Sequence, residues 1–140
     1  MEKYIAHSDD KHFESDVKNL LLFRKIVKAE AESEQIGILT LDDGTKLIFK
    51  GNEGCGGCGN GWFYLDELNG CDNAITNVEC VCDEDEDTMV YRIFVFSEGK
   101  KINCLQYSGY DNGYYGVGYH LFVMLDTTRE EAEQALKGGE

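Results

Sequence analysis

Two stretches of the chain share one pattern, and that pattern constrains the fold more than any other feature. Leu39–Phe49 reads LTLDDGTKLIF and Phe94–Cys104 reads FVFSEGKKINC, each an apolar alternation broken by a turn at Gly44 or Gly99. Alternation interrupted by an acidic residue and glycine is the signature of a tight β-hairpin. The flanks match as well. KIVKAE (Lys25–Glu30) resembles AITNVE (Ala74–Glu79) upstream, and NGWF (Asn60–Phe63) resembles NGYY (Asn112–Tyr115) downstream. The chain therefore reads as one domain, 1–140, with an internal repeat over 25–63 and 74–115. Each copy would be a strand, a hairpin, and a loop ending Asn-Gly-aromatic-aromatic.

The expected fold class is α+β: a mainly antiparallel sheet from two related strand-hairpin units, with short helices near the N-terminus, mid-chain and C-terminus. Residues 1–12 are polar and read as flexible. Glu14–Phe23 carries Val17, Leu20, Leu21 and Phe23 at helical spacing, with Ser15 as N-cap. WFYLDELNG (Trp62–Gly70) reads as a helical turn closed by glycine, and TTREEAEQALK (Thr127–Lys137) as a closing helix with early glutamates and a late lysine. AITNVECVC, MVYRIFVFS, INCLQY and YHLFVML read as strands, with DEDED (Asp83–Asp87) as an acidic loop between the first two. The chain has no proline, so every punctuation mark is made with Gly, Asn or Asp.

The charge balance limits the partners. Twenty-seven acidic residues against thirteen basic ones leave a formal net charge of −14. Such a surface repels phosphate backbones and anionic membranes, so neither direct nucleic-acid binding nor membrane binding is expected. No apolar run reaches the roughly 18 residues of a membrane span, and no secretory leader is visible. A solvated, soluble surface is one reading of the acid. The sharper one is attraction to a basic protein surface, through Glu79, Asp83, Glu84, Asp85, Glu86 and Asp87.

The glycine-rich loop EGCGGCGNGWF (Glu53–Phe63) carries the chain's one tryptophan and a C-x-x-C pair. Cys55 and Cys58 could join Cys80 and Cys82 around a zinc ion, because residues two apart on a strand face the same side. The C-x-C spacing of the second pair is unlike most zinc ribbons, and the alternative is small core residues at Cys80, Cys82 and Cys104. No other cofactor is expected. A dithiol redox site is disfavoured, since the neighbouring acids raise a thiol pKa rather than lower it. Without a leader, reduced thiols are favoured over disulfides. The remaining reading is a ligand loop, with Asn60, Trp62, Phe63, Asn112, Tyr114 and Tyr115 offering ring faces beside exposed backbone N–H groups. Its plainer counterpart is that these aromatics cap the ends of the core.

Enzyme chemistry finds little support. His7, His12 and His120 are scattered, no G-x-S-x-G, P-loop or H-E-x-x-H occurs, and DEDED lacks the glycine and terminal glutamate of an EF-hand.

The order of signals is a leucine-rich helix, RKIVKAE, LTLDDGT, a cysteine loop before an aromatic, ITNVE, and NGYYG before a last strand. Over roughly residues 17–125 it resembles a family of small uncharacterised proteins encoded mainly by bacteriophages and prophages, grouped as a domain of unknown function. The chain departs from that pattern in having CGGC rather than adjacent cysteines, and YYGVG rather than a doubled glycine. The resemblance transfers no catalytic residue. It implies a non-enzymatic accessory protein in the bacterial host cytoplasm, one that inhibits a host defence or nucleic-acid-handling enzyme in the manner of an anti-CRISPR. A sponge for a nucleotide signal and a zinc-stabilised structural phage protein are the alternatives, and a homodimer is open.

Overall fold

The computed structural model describes residues 2–33, 35–51, 61–63, 69–85, 88–110 and 118–124, with no side-chain description at 61, 62, 85 and 110. In chain order they form β1 (Glu2–His7), α1 (Phe13–Leu21), β2 (Ile26–Ser33), β3 (Ile36–Leu41), β4 (Lys46–Gly51), β5 (Gly61–Phe63), β6 (Asn77–Asp85), β7 (Thr88–Ser97), β8 (Lys100–Tyr110) and β9 (Tyr119–Met124). Two antiparallel sheets result, one in the order β1-β9-β4-β3-β2 and the other β5-β8-β7-β6. Each contains a three-stranded meander, β2-β3-β4 or β6-β7-β8. Each meander then takes its fourth strand from the far half of the chain: β9 pairs with β4, and β5 with β8. The orders β9-β4-β3-β2 and β5-β8-β7-β6 correspond strand for strand.

Local chemistry explains the hairpins. At the β3–β4 turn the Gly44 N–H donates to the Leu41 carbonyl and Gly44 holds φ 89°, while the Asp43 carboxylate accepts from the Thr45 N–H. At the β7–β8 turn Ser97 pairs with Lys100, and both central residues, Glu98 and Gly99, have positive φ. That is the two-residue turn whose twist matches the flanking strands.

Four expectations change. Residues 2–7 form an edge strand on β9, not a flexible tail, because Ala6 is fully buried and Tyr4 stacks edge-on against Phe122. The first helix begins at Phe13 with His12 at the N-cap instead of Ser15, placing Phe13, Val17 and Leu21 on one buried stripe. It ends before Phe23, whose N–H leaves the helix to donate to the Ile75 carbonyl. Asp83–Asp85 lie in β6, paired with Val90, Met89 and Thr88, so the acidic loop is mostly strand. Trp62 and Phe63 belong to β5, paired with β8, where a helical turn was expected. Residues 64–68 and the expected C-terminal helix at 127–137 fall outside the described residues.

The core lies between the sheets. Tyr119 is its hub, with ring centroids 5.5–5.8 Å from those of Phe13, Phe49, Phe63, Tyr91 and Tyr107. These rings come from α1 and both sheets, so one side chain ties the layers together. Helix α1 packs against β1 and β6, the adjacent edges of the two sheets. Its Glu14 carboxylate accepts the Cys80 N–H at 2.8 Å and so caps part of the β6 edge. At the first sheet's other edge, Ile26 at the start of β2 exchanges paired hydrogen bonds with Cys71.

Candidate functional site

The acidic candidates are ordered by strand geometry. Along β7, Tyr91, Ile93 and Val95 are buried while Arg92 and Phe94 are half-exposed. Residues of β6 paired with the latter set therefore face outward: Glu79 opposite Phe94, Val81 opposite Arg92, and Asp83 opposite Val90. The outward carboxylates meet cations of their own sheet. Asp83 pairs with Arg92 at 2.7 Å, and Glu79 with Lys101 at 3.6 Å. Lys101 also lies over the Phe94 ring at 4.3 Å. Glu84 is exposed near the end of the strand. Glu79 and Asp83 thus line the outward side of an edge strand, each beside a cation, while Glu84, opposite Met89, falls on the strand's other side. Asp85 is placed in β6 by its backbone alone, and Glu86 and Asp87 lie outside the described residues.

Cys80 and Cys82 share the inward side of β6, opposite Ile93 and Tyr91, as their spacing requires. Burial, reinforced by the Glu14 carboxylate, pushes the Cys80 thiol up to about 12. Burial also raises Cys82 and the fully buried Cys104. These thiols stay protonated and are poor nucleophiles at neutral pH. Their expected zinc partners, Cys55 and Cys58, lie outside the described residues. Among the described residues, no three His, Cys, Asp or Glu side chains are grouped to hold a metal. The two thiols line a half-open cavity of about 50 Å³ with Ser8, Phe13, Tyr91 and Tyr119, and beside it the Tyr91 hydroxyl donates to Asp9 at 3.0 Å. A space of that size suits one or two waters, not a metabolite.

The strand ends fix where the two Asn-Gly-aromatic loops depart. Gly51 pairs with Tyr119 in the first sheet, and Gly61 with Gly109 in the second. Residues 52–60 and 111–117, which hold most of both loops, lie outside the described residues. Trp62 stands opposite Ser108. Phe63 is a core residue packed on Tyr107 and Tyr119, which removes its ring from a ligand surface. Asn60, Asn112, Tyr114 and Tyr115 lie outside the described residues. Two buried hydroxyls on β8 near this end, Tyr107 Oη and Ser108 Oγ, have no hydrogen-bond partner. Gly118, φ 129°, enters β9 here, and a Cβ there would sit 2.5 Å from Ser8 Oγ.

Sequence reasoning missed a histidine pair. His7 and His120 are cross-strand partners with ring centroids 4.7 Å apart, and Tyr4 Oη lies 3.3 Å from His120 Nδ1. No local periodicity signalled it, because a bulge between Tyr4 and Ala6 sends those two residues to opposite faces. Burial first, then the nearby His7, lowers the His120 pKa below 6.5, against a smaller opposing pull from Asp10. The unfolded chain then takes up the proton more readily. This contribution to stability is full above about pH 6.5 and shrinks as pH falls below it. His12 acts in the opposite sense, because its hydrogen bond to Asp16 raises its pKa. The informative comparison is thus parent against His120→Gln. The variant's midpoint of denaturant unfolding should fall less between pH 7 and pH 5 than the parent's, and equal slopes would refute the assignment.

No curated protein and no solved structure matches the chain significantly. A family model does, over residues 19–121, which runs from α1 into β9 and takes in both meanders. By that match the chain belongs to the DUF7448 family, a domain of unknown function.

Proposed function

We propose that this protein is a non-enzymatic accessory protein of a bacteriophage or prophage, acting in the host cytoplasm. It would bind and inhibit a host defence or nucleic-acid-handling enzyme through an acidic surface. The observation that carries the reading is the acidic edge strand β6, where Glu79 and Asp83 face outward and Glu84 is exposed near the strand's end, in a chain with net charge −14. An enzyme that holds nucleic acid presents a cleft lined with Lys and Arg, and a rigid acidic strand can occupy such a cleft with electrostatically steered association. The test is capture of host proteins on the immobilised full chain, with mass spectrometry of what is retained. A retained basic enzyme released by salt supports the reading, and retention of nothing above a neutral control protein counts against it.

A second reading has its own observation. Tyr107 Oη and Ser108 Oγ are buried without hydrogen-bond partners on β8, where it pairs with Trp62 and Phe63 of β5. Unmet hydrogen-bonding groups there suit a small flat ligand such as a nucleotide signal, the reading that also involves Asn60, Asn112, Tyr114 and Tyr115. Titration with a panel of cyclic nucleotides should then change Trp62 fluorescence, and a flat response across the panel would dismiss the sponge.

A further inference from the structure

The inward side of β6 opens two thiols onto the cavity beside α1. Cys80 is half-buried and Cys82 exposed, and both line the space walled by Phe13, Tyr91 and Tyr119. A strand rises about 3.3 Å per residue and turns residues two apart to one side, so the two Cα atoms stand about 6.7 Å apart. That is close to the upper limit of about 6.8 Å for a disulfide, so direct closure of an S–S bond is strained. An ion between the sulfurs fits better, because two metal–thiolate bonds of about 2.3 Å span about 4.6 Å. The cavity, about 50 Å³, matches a single ion and not a larger guest.

The oxygens at the rim are already engaged. Ser8 Oγ accepts the Tyr119 N–H at 3.1 Å, and the Tyr91 hydroxyl donates to Asp9 at 3.0 Å. Cys104 turns its thiol to the Ile93 carbonyl at 3.4 Å and does not line the cavity. Among the described residues the space therefore offers two sulfurs and no third ligating group beside them. That donor set decides the class of ion. Calcium takes six to eight oxygens and structural zinc takes four ligands, whereas thiolates alone select soft cations such as copper(I). We propose that Cys80 and Cys82 form a two-coordinate site for a soft monovalent cation of the copper(I) class, seated in this cavity. The site is independent of the inhibitor reading and uses neither Cys55 nor Cys58.

The local field favours a cation. Glu14 and Glu79 act on Cys80 against Lys18, while Asp9, Asp83 and Glu84 act on Cys82. Exposure of Cys82 gives the ion a way in, and the three rings keep water from its inner side. Binding exchanges two protons for the ion. Each S–H bond breaks, each sulfur keeps its electron pair and forms one bond to the cation, and both protons pass to solvent. No atom changes oxidation state, so no oxidant or reductant is needed.

The test uses the full chain, reduced and kept from oxygen, with copper(I) delivered from its bicinchoninate complex. Iodoacetamide at mildly alkaline pH then labels the thiols, and mass spectrometry of the peptides reads each cysteine separately. Saturating copper(I) should slow labelling of Cys82 by at least about tenfold, because a metal-held thiolate is no longer a free nucleophile. Cys80→Ser should remove that protection, since both sulfurs are needed to hold the ion. The double variant Cys55→Ser, Cys58→Ser should keep it. Labelling of Cys82 that is equally fast with and without copper(I) overturns the proposal. So does protection that survives Cys80→Ser, or protection lost in a cooperatively folded Cys55→Ser, Cys58→Ser variant, which would assign the ion to a larger thiolate set. The first of these outcomes needs only the parent, so the test survives a variant that fails to fold.

Discussion

Replacing Tyr119 by alanine should lower stability by about 3–5 kcal/mol, the range for deleting a large buried aromatic. Tyr119 is 1% exposed and touches rings from α1, β4, β5, β7 and β8. Its removal leaves a cavity between the layers that no single neighbour can fill without moving a strand. Against a typical total of about 5–15 kcal/mol the loss is large, and the thermal midpoint should drop by roughly 10 °C. Tyr107→Phe is the informative contrast. Its ring is just as buried, but its hydroxyl has no hydrogen-bond partner, and burial pushes its pKa up to about 12. Removing an unsatisfied buried hydroxyl while keeping the ring should be neutral or stabilising by up to about 1 kcal/mol. Calorimetry or denaturant unfolding reads both. If Tyr119→Ala cost no more than Tyr107→Phe, the core would not be centred where the rings place it.

Those two tyrosines also show what was legible in the sequence. The hairpins around Gly44 and Gly99 could be read because turn chemistry and alternation are local, and the structure has them where the pattern put them. The β1 strand could not, because half its residues are polar and its partner, β9, lies more than a hundred residues away. Likewise the run Asp83–Asp85 looked like a loop by composition. It is strand because β7 offers a complete ladder opposite it, and tertiary pairing overrides weak intrinsic propensity. Phe63 resembled a ligand contact, yet it is buried in the core against Tyr107 and Tyr119. The candidate site was thus legible as a set of charges, while its placement on an edge strand required the pairing register.

Reversal of that acidic run has the largest functional effect to expect. Changing Asp83, Glu84, Asp85, Glu86 and Asp87 together to lysine alters ten units of charge and takes the formal net from −14 to −4. Against a Lys- and Arg-lined cleft, each attraction becomes a repulsion, and like charges brought together in an interface cost several kcal/mol. Capture of the partner should be abolished. At low salt the association rate should fall by about a hundredfold, and the difference should narrow as added salt shortens the Debye length. Loss of fold is not the expected cause. The described ion pair that is broken, Asp83 with the Arg92 guanidinium, involves an exposed carboxylate, and such pairs contribute about 0–1 kcal/mol. Cooperative unfolding near the parent midpoint would verify this. Glu98→Lys supplies the control, since Glu98 is an exposed acid in the turn at the opposite end of β7. It should leave capture nearly unchanged if the acidic run, and not total charge, recognises the partner. Equal capture by the parent and the fivefold variant would remove β6 from the interface and leave the acid as a solvated surface.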